Sequence, residues 1–127
     1  MSITWVTTIL VVEDSPQELE LISYYLRDKG YNVIEATSAK EALELVLEEK
    51  PDAIVTDVVM PGMSGFELCR FLKTNPTNPK IPIVICSSKN QEIHRLWAKK
   101  QGADAYITKP YTPEQLLSVI QSVEAIV

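Results

Sequence analysis

The sequence predicts an α/β domain in which a parallel sheet carries helices on both faces. Five short apolar segments alternate strictly with five longer amphipathic segments. Several of the apolar segments are continuous and rich in β-branched residues, which is typical of strands that are covered on both faces. Each amphipathic segment opens on a helix-start signal. Strict alternation of strands and helices favours parallel pairing through helical crossovers.

The predicted strands are short and bounded by polar residues. They cover residues 9–12, 32–36, 53–56, 81–86 and 105–108. Each helix start is predicted from a capping box, in which a hydroxyl accepts a bond from a helix N–H while a side chain three residues later bonds back. The pairs are Ser15 with Glu18, Ser38 with Glu41, Ser64 with Glu67, Ser88 with Gln91, and Thr112 with Gln115.

Prolines and glycines mark the remaining boundaries. Pro16 and Pro113 stand at first helical positions, where the missing N–H costs nothing. Helix ends are predicted at Gly30, at Pro51 and at Gly102. The TNPTNP segment over residues 74–79 predicts a rigid loop before the fourth strand.

Composition limits the classes of function. The chain has 127 residues, so one domain over residues 1–127 is expected, with a short tail over residues 1–7 and no output domain. No role is predicted for Trp5 in that tail. The 12 Lys and Arg residues stand against 17 Asp and Glu residues, and the net charge of −5 argues against nucleic acid or an anionic membrane as the main partner.

Cysteines and apolar runs predict the compartment. Cys69 and Cys86 lie among apolar neighbours, which favours reduced thiols and a cytoplasmic location over a disulfide framework. The apolar runs are far shorter than a membrane span, and no leader pattern precedes them.

Chemically active residues follow four of the five predicted strands. The first is followed by Glu13 and Asp14, the third by Asp57, the fourth by Ser87 and the fifth by Lys109. In an open parallel sheet these positions lie at one edge, where ligands bind. Alone, each has an ordinary explanation, such as a helix cap, a turn former or a surface lysine. Their joint placement favours a site.

The residue types at this edge indicate phosphoryl chemistry. Three converging carboxylates repel each other unless a cation neutralises them, and an all-oxygen set open to water suits Mg²⁺. Lys109 adds a positive charge and Ser87 a hydroxyl donor, so the group can hold a phosphoryl group. Asp57 is then a candidate nucleophile.

Four motifs resemble the receiver domain of two-component response regulators, in the single-domain form typified by the chemotaxis protein CheY. They are ILVVED at 9–14, DVVMPGMSG at 57–65, PIVICSS at 82–88 and GADAYITKPY at 102–111. The resemblance implies a flavodoxin-like, doubly wound (βα)5 fold with a five-stranded parallel sheet in the order 2-1-3-4-5. It also implies that Asp57 accepts a phosphoryl group from a CheA-like sensor histidine kinase.

The same resemblance implies roles for the neighbouring residues. Asp14, Asp57 and the Val59 backbone carbonyl are expected to bind Mg²⁺, with Glu13 acting through water or directly. Lys109 is expected to pair with Asp57 before phosphorylation and with a phosphoryl oxygen afterwards. A cis Lys109–Pro110 peptide bond is expected to aim this lysine into the site. Two further residues form the expected switch: Ser87, which moves toward the phosphoryl group, and Tyr106, whose ring turns inward. Glu13 and Ser87 replace the more common Asp and Thr.

The resemblance further implies a signalling protein rather than an enzyme acting on a separate substrate. An output protein is expected to bind the face formed by the fourth helix, fifth strand and fifth helix. The segment over residues 97–111 resembles regulators of type IV pilus motility and phototaxis more than flagellar-motor regulators. Trp97 is expected to serve packing or a partner surface, Cys69 to be core, and His94 to be solvated.

Three alternatives are less well supported. A haloacid-dehalogenase-like phosphatase needs a second acid two residues beyond its nucleophile, and Val59 stands there. A binding module without phosphorylation would lack Asp57, Lys109 or the acidic pair, and all are present. A dinucleotide-binding domain needs a Gly-rich turn after the first strand, and none follows.

Overall fold

Five parallel strands form a single sheet in the described part of the chain. The structure is a computed structural model that describes residues 6–76 and 80–124. Trp5, and residues 77–79 of the predicted loop, lie outside the described residues. The strands are β1 (Thr8–Val12), β2 (Asn32–Ala36), β3 (Ala53–Asp57), β4 (Ile83–Ser87) and β5 (Ala105–Thr108). Their order in the sheet is β2-β1-β3-β4-β5, which confirms the predicted fold class.

The strand predictions were close, with one shift. The second and fifth strands have the predicted bounds, and the first and third are one residue longer. The fourth strand begins at Ile83 rather than at Ile81 and ends at Ser87. Pro82 explains the later start, because proline has no N–H to give to a sheet. Ile54 instead donates its N–H to the Pro82 carbonyl at 2.9 Å, just before the strand begins.

Five helices pack on the two faces of the sheet. They are α1 (Pro16–Asp28), α2 (Ala39–Glu49), α3 (Gly65–Thr74), α4 (Glu92–Lys100) and α5 (Pro113–Glu124). One apolar core lies between the sheet and α2, α3 and α4, and a second lies between the sheet and α1 and α5. Alternate residues of each strand enter opposite cores, as Leu10 and Val11 do in β1.

Hydroxyl caps begin four of the five helices as predicted. The side chains of Ser15, Ser38 and Ser64 each accept a bond from the N–H three residues later. Thr112 and Gln115 bond to each other reciprocally, at 2.8 and 3.1 Å. Both bonds of a capping box are present at α3 and α5.

The predicted cap of α4 was wrong. This helix begins at Glu92, and its N-cap is Gln91, which makes no side-chain capping bond. Ser88 is exposed and lies three residues before the N-cap. The N–H of Lys89 bonds instead to the Ser87 hydroxyl at 3.1 Å. The chain therefore turns away from β4 and starts the helix later.

The predicted helix ends are confirmed, and so is the expectation that Cys69 lies in the core. α1 ends at Asp28, α2 at Glu49 and α4 at Lys100. Cys69 and Cys86 are buried and free.

Among the residues the structure describes, no helix is both long enough and apolar enough to cross a membrane.

The exposure of two α4 residues can be compared with what the sequence predicts. Trp97 is 49% exposed and so presents part of its ring at the surface. His94 is not fully solvated, because its Nδ1 is buried and has no hydrogen-bond partner in residues 6–76 and 80–124. The expectation of a solvated histidine was therefore wrong for this ring nitrogen.

Candidate functional site

The carboxyl ends of β1, β3, β4 and β5 bring the predicted site residues to one edge of the sheet. Glu13 and Asp14 directly follow β1, and Asp57 is the last residue of the neighbouring β3. Ser87 is the last residue of β4, and Lys109 directly follows β5. The strands pair in parallel register, so their ends lie side by side. The grouping predicted from the sequence is present.

Three carboxylates form a compact acidic cluster at this edge. One oxygen from each of Glu13, Asp14 and Asp57 lies within 4.8 Å of the others. Glu13 is buried, Asp57 is partly buried and Asp14 is exposed, so the cluster opens to solvent on one side. Hard oxygen donors on a solvent-accessible rim fit Mg²⁺, which keeps several waters when it binds protein. These residues therefore fit the ion that the sequence predicts.

The Lys109 ammonium is held by a ring of carboxylates. Its Nζ lies 2.8 Å from Glu13 Oε1, 3.2 Å from Glu18 Oε1 and 3.6 Å from Asp57 Oδ2. The expected pairing with Asp57 is present as an ion pair, but the hydrogen bond goes to Glu13. The peptide bond between Lys109 and Pro110 is cis, as the resemblance implied.

Sequence reasoning missed Glu18 as a member of this site. It was assigned only to the capping box of α1, in which its carboxylate would accept the N–H of Ser15. Its carboxylate instead forms an ion pair with Lys109. The N–H of Ser15 instead bonds to Glu13 Oε2 at 3.2 Å. Glu18 lies in the first turn of a helix that starts at the same sheet edge. An acidic residue at that position was the signal that could have placed it in the site.

Burial and charge alter the ionisation of the cluster. Burial raises the pKa of Glu13 to about 7, and the nearby charge of Asp57 adds to this, although the bonds from Lys109 and Ser15 oppose it. The pKa of Asp57 is also raised, because the effect of burial outweighs the opposing charge of Lys109. Burial alone would lower the pKa of Lys109, but the hydrogen bond to Glu13 and the charge of Asp57 outweigh it and raise that pKa above its usual range.

The backbone around Asp57 holds its carboxylate in place. Asp57 Oδ1 accepts a bond from the N–H of Val58 at 2.8 Å, which leaves Oδ2 facing Lys109. Gly65, the first residue of α3, donates its N–H to the Val58 carbonyl at 2.9 Å. A Cβ on Gly65 would lie 1.9 Å from the Asp57 carbonyl oxygen, so only glycine permits this approach. Sequence reasoning had not singled out Gly65.

The backbone of Lys89 links the two residues of the expected switch. The Ser87 hydroxyl accepts the Lys89 N–H at 3.1 Å, and the Tyr106 hydroxyl donates to the Lys89 carbonyl at 2.6 Å. The Arg95 guanidinium lies 5.0 Å from the centre of the Tyr106 ring. A shift of Ser87 would therefore act on the residue that Tyr106 binds. These bonds could not be predicted from the sequence, since both are made to backbone atoms of Lys89.

We expect the unfolding free energy of the Mg²⁺-free protein to fall as the pH rises from about 4.5 to 7. The folded state holds the Glu13 proton up to a pKa of about 7, whereas the unfolded chain releases it near 4.5. Since the folded state then binds more protons, raising the pH costs stability, by at most about 3 kcal/mol.

Urea titrations in EDTA at several pH values test this expectation. Glu13→Gln cannot ionise, so its stability should lack this part of the pH dependence. Mg²⁺ should restore more stability at pH 8 than at pH 5, because it binds the ionised carboxylates. Equal pH slopes for the wild type and Glu13→Gln would contradict the assignment.

Comparison with known proteins identifies the class that this fold and site define. The model of the response regulator receiver domain family matches residues 9–121. The chain therefore belongs to the family of response regulator receiver domains, which are two-component signalling proteins of the CheY-like fold. Its members act in signalling rather than as enzymes on separate substrates. The sequence-based identification is confirmed.

Particular relatives resemble the chain over most of its length. Protein PilH of Pseudomonas aeruginosa is 39% identical over 117 residues, which are 92% of this chain and 97% of PilH. A putative response regulator from Chloroflexus aurantiacus has a TM-score of 0.89 and 30% identity, covering 95% of this chain and 99% of that one. Chemotaxis protein CheY4 of Vibrio cholerae has a TM-score of 0.86 and 31% identity, with 94% and 99% covered.

Proposed function

We propose that this receiver accepts a phosphoryl group on Asp57 from a CheA-like sensor histidine kinase, in a reaction that needs Mg²⁺. One observation carries the proposal: the Asp57 carboxylate belongs to the acidic cluster, and its Oδ2 lies 3.6 Å from the Lys109 ammonium. A nucleophile between a cation site and a fixed positive charge is suited to attack an anionic phosphoryl group.

The residues that would hold Mg²⁺ are those of the acidic cluster. Glu13, Asp14 and Asp57 supply carboxylate oxygens, and we add the Val59 backbone carbonyl because the family resemblance implies it. When bound, the ion neutralises negative charge on the carboxylates and on the phosphoryl oxygens. Lys109 already satisfies one Glu13 oxygen, which favours a water-mediated contact between Glu13 and the ion over a direct one.

The proposed transfer is a single displacement at phosphorus. Asp57 Oδ2 forms a bond to phosphorus while the bond from phosphorus to the kinase histidine nitrogen breaks, and the electron pair stays on that nitrogen. The product is an acyl phosphate on Asp57. The Lys109 ammonium then binds a phosphoryl oxygen, and the Ser87 hydroxyl donates to another after releasing the Lys89 N–H. Both residues thereby hold the phosphorylated state.

The proposed output is a change of partner binding at the face formed by α4, β5 and α5. Ser87 reaches this face through the Lys89 backbone, to which the Tyr106 hydroxyl also binds. A partner that prefers one position of Tyr106 would shift the population of the two states. We propose that the chain acts as a stand-alone, cytoplasmic regulator in motility or taxis. Its similarity to PilH and to chemotaxis protein CheY4 supports this role.

Phosphorylation by a small-molecule donor tests the proposal. We expect purified protein incubated with Mg²⁺ and phosphoramidate to gain the mass of one phosphoryl group, measured on the intact chain. Protein in EDTA should gain none. No adduct under any of these conditions, or an adduct that forms equally well without Mg²⁺, would overturn the proposed reaction.

Val59 should make the phosphorylated state long-lived. This side chain is exposed and apolar, lies two residues beyond Asp57, and cannot orient a water molecule for attack on the acyl phosphate. We expect Val59→Glu or Val59→Asn to leave the adduct lifetime nearly unchanged or to shorten it, measured by the decay of the intact-mass adduct. If Val59→Ala made the lifetime many-fold shorter, shielding by the Val59 side chain would be the correct explanation.

A further inference from the structure

The basic residues of this acidic chain are concentrated in one segment. Residues 70–109 contain 8 of the 12 Lys and Arg residues but only 2 of the 17 Asp and Glu residues. The rest of the chain is therefore strongly acidic. Within the segment, Lys73 is paired with Asp104 at 2.8 Å, and Lys109 belongs to the site described above. Other basic side chains of the segment are exposed, as that of Arg70 is, and can meet a partner.

An apolar stripe runs along the surface of α4 beside these charges. Ile93, Leu96 and Trp97 have the spacing of one helix face and are 61%, 56% and 49% exposed. The Lys100 ammonium lies 6.0 Å from the centre of the Trp97 ring. Exposed apolar residues grouped in this way mark interaction surfaces more often than single exposed side chains do.

A groove between α3 and α4 joins the apolar stripe to the basic residues. Its volume is about 450 Å³, and its lining includes Phe66 and Arg70 from α3 and Trp97 and Lys100 from α4. Glu67, which also lines it, bonds through its carboxylate to the N–H of Ser64 at 3.2 Å. The aromatic rings of Phe66 and Trp97 therefore make the groove apolar, and Arg70 and Lys100 add positive charge at its edge.

The basic side chains of this groove have no ion-pair partner in the part of the chain that the structure describes. Neither Arg70 nor Lys100 forms an ion pair with any residue in 6–76 or 80–124. Arg70 and Lys100 line opposite sides of the groove, because one belongs to α3 and the other to α4. An occupant that carried carboxylates on both flanks would meet a positive charge on each side.

We propose that the groove between α3 and α4 binds an acidic amphipathic helix of a partner protein. Large apolar side chains of that helix would pack between Phe66 and Trp97, and its carboxylates would pair with Arg70 and Lys100. An anionic membrane is a poorer match, because a flat surface cannot enter a groove and the acidic remainder of the chain would be repelled. The groove shares α4 with the α4–β5–α5 face but lies on the side of α4 that faces α3, and binding there does not require a phosphoryl group.

Trp97 fluorescence provides the test. Trp5→Phe leaves Trp97 as the only tryptophan of the full chain. The probe is a synthetic helical peptide of about 20 residues with Leu and Phe along one face and Glu along the other. Its counterpart carries Lys in place of every Glu. We expect the acidic peptide to shift Trp97 emission to shorter wavelength and to bind at least about tenfold more tightly than the Lys peptide at low salt.

Charge reversal identifies the groove as the binding site. Arg70→Glu combined with Lys100→Glu should reverse the preference, so that the Lys peptide binds more tightly. The matched control, Lys29→Glu with Lys40→Glu, makes the same change in net charge away from the groove and should keep the original preference. Both peptides are added to unphosphorylated protein, so a failure here leaves the proposed phosphoryl transfer untouched.

Three results would overturn the proposal. The first is equal binding of the two peptides, which includes no binding of either. The second is a peptide preference that Arg70→Glu with Lys100→Glu leaves unchanged. The third is a shift of Trp97 emission that phosphatidylglycerol vesicles produce and the acidic peptide does not. The last result would assign the surface to a membrane instead.

Discussion

Lys109→Gln is expected to slow formation of the phosphoryl adduct about 100-fold in the presence of Mg²⁺ and phosphoramidate. The Lys109 ammonium lies within 3.6 Å of carboxylate oxygens from Glu13, Glu18 and Asp57. Glutamine keeps a donor there but removes the charge that would bind a phosphoryl oxygen. Initial rates of adduct formation, measured by intact mass, check this result.

Lys73→Gln is the matched control for Lys109→Gln. It removes a lysine whose Nζ lies at the same 2.8 Å from a carboxylate, that of Asp104, but at the opposite end of the sheet. Its adduct should form at the wild-type rate. A Lys109→Gln rate within about twofold of the control would show that this ammonium is not needed for transfer.

Gly65→Ala is expected to lower the free energy of unfolding by about 3 kcal/mol, as overpacking does in other well-packed structures. The new Cβ would lie 1.9 Å from the Asp57 carbonyl oxygen and 2.9 Å from its carbon. These are backbone atoms of a central strand and cannot swing aside. β3 or the start of α3 must then move, which also displaces the Asp57 carboxylate.

Gly62→Ala separates backbone strain from this steric clash. Gly62 has φ of +79°, but a Cβ added to it would have no atom within 4 Å, so alanine there costs only about 1 kcal/mol. Urea denaturation of both variants gives the comparison. A Gly65→Ala variant no less stable than Gly62→Ala would contradict the close approach at Asp57.

The strands and most helix starts could be predicted because their signals are local. A run such as residues 53–56 is apolar at nearly every position, and it indicates a strand buried on both faces wherever it lies in the sheet. The grouping of Glu13, Asp57 and Lys109 followed from one topological rule about parallel sheets. The resemblance supplied the strand order, and the structure confirmed it.

The remaining features depend on contacts between distant parts of the chain. Glu18 was assigned to a cap because its local pattern fits one, but the position of Lys109, far along the sequence, draws its carboxylate away. Ser88 fits a cap equally well, yet the chain leaves β4 through a bond between Lys89 and Ser87 and starts α4 later. The buried Nδ1 of His94 likewise reflects packing that its charged sequence neighbours do not indicate.

The most direct test is to locate the phosphoryl group on the chain. Protein treated with Mg²⁺ and phosphoramidate is reduced with borohydride, which converts an aspartyl phosphate to homoserine, and its peptides are then sequenced by mass spectrometry. We predict conversion at Asp57 alone, dependent on Mg²⁺, and no conversion anywhere in Asp57→Asn. Conversion at another carboxylate, or an Asp57→Asn protein that still gains a phosphoryl group with the same dependence on Mg²⁺, would contradict Asp57 as the acceptor.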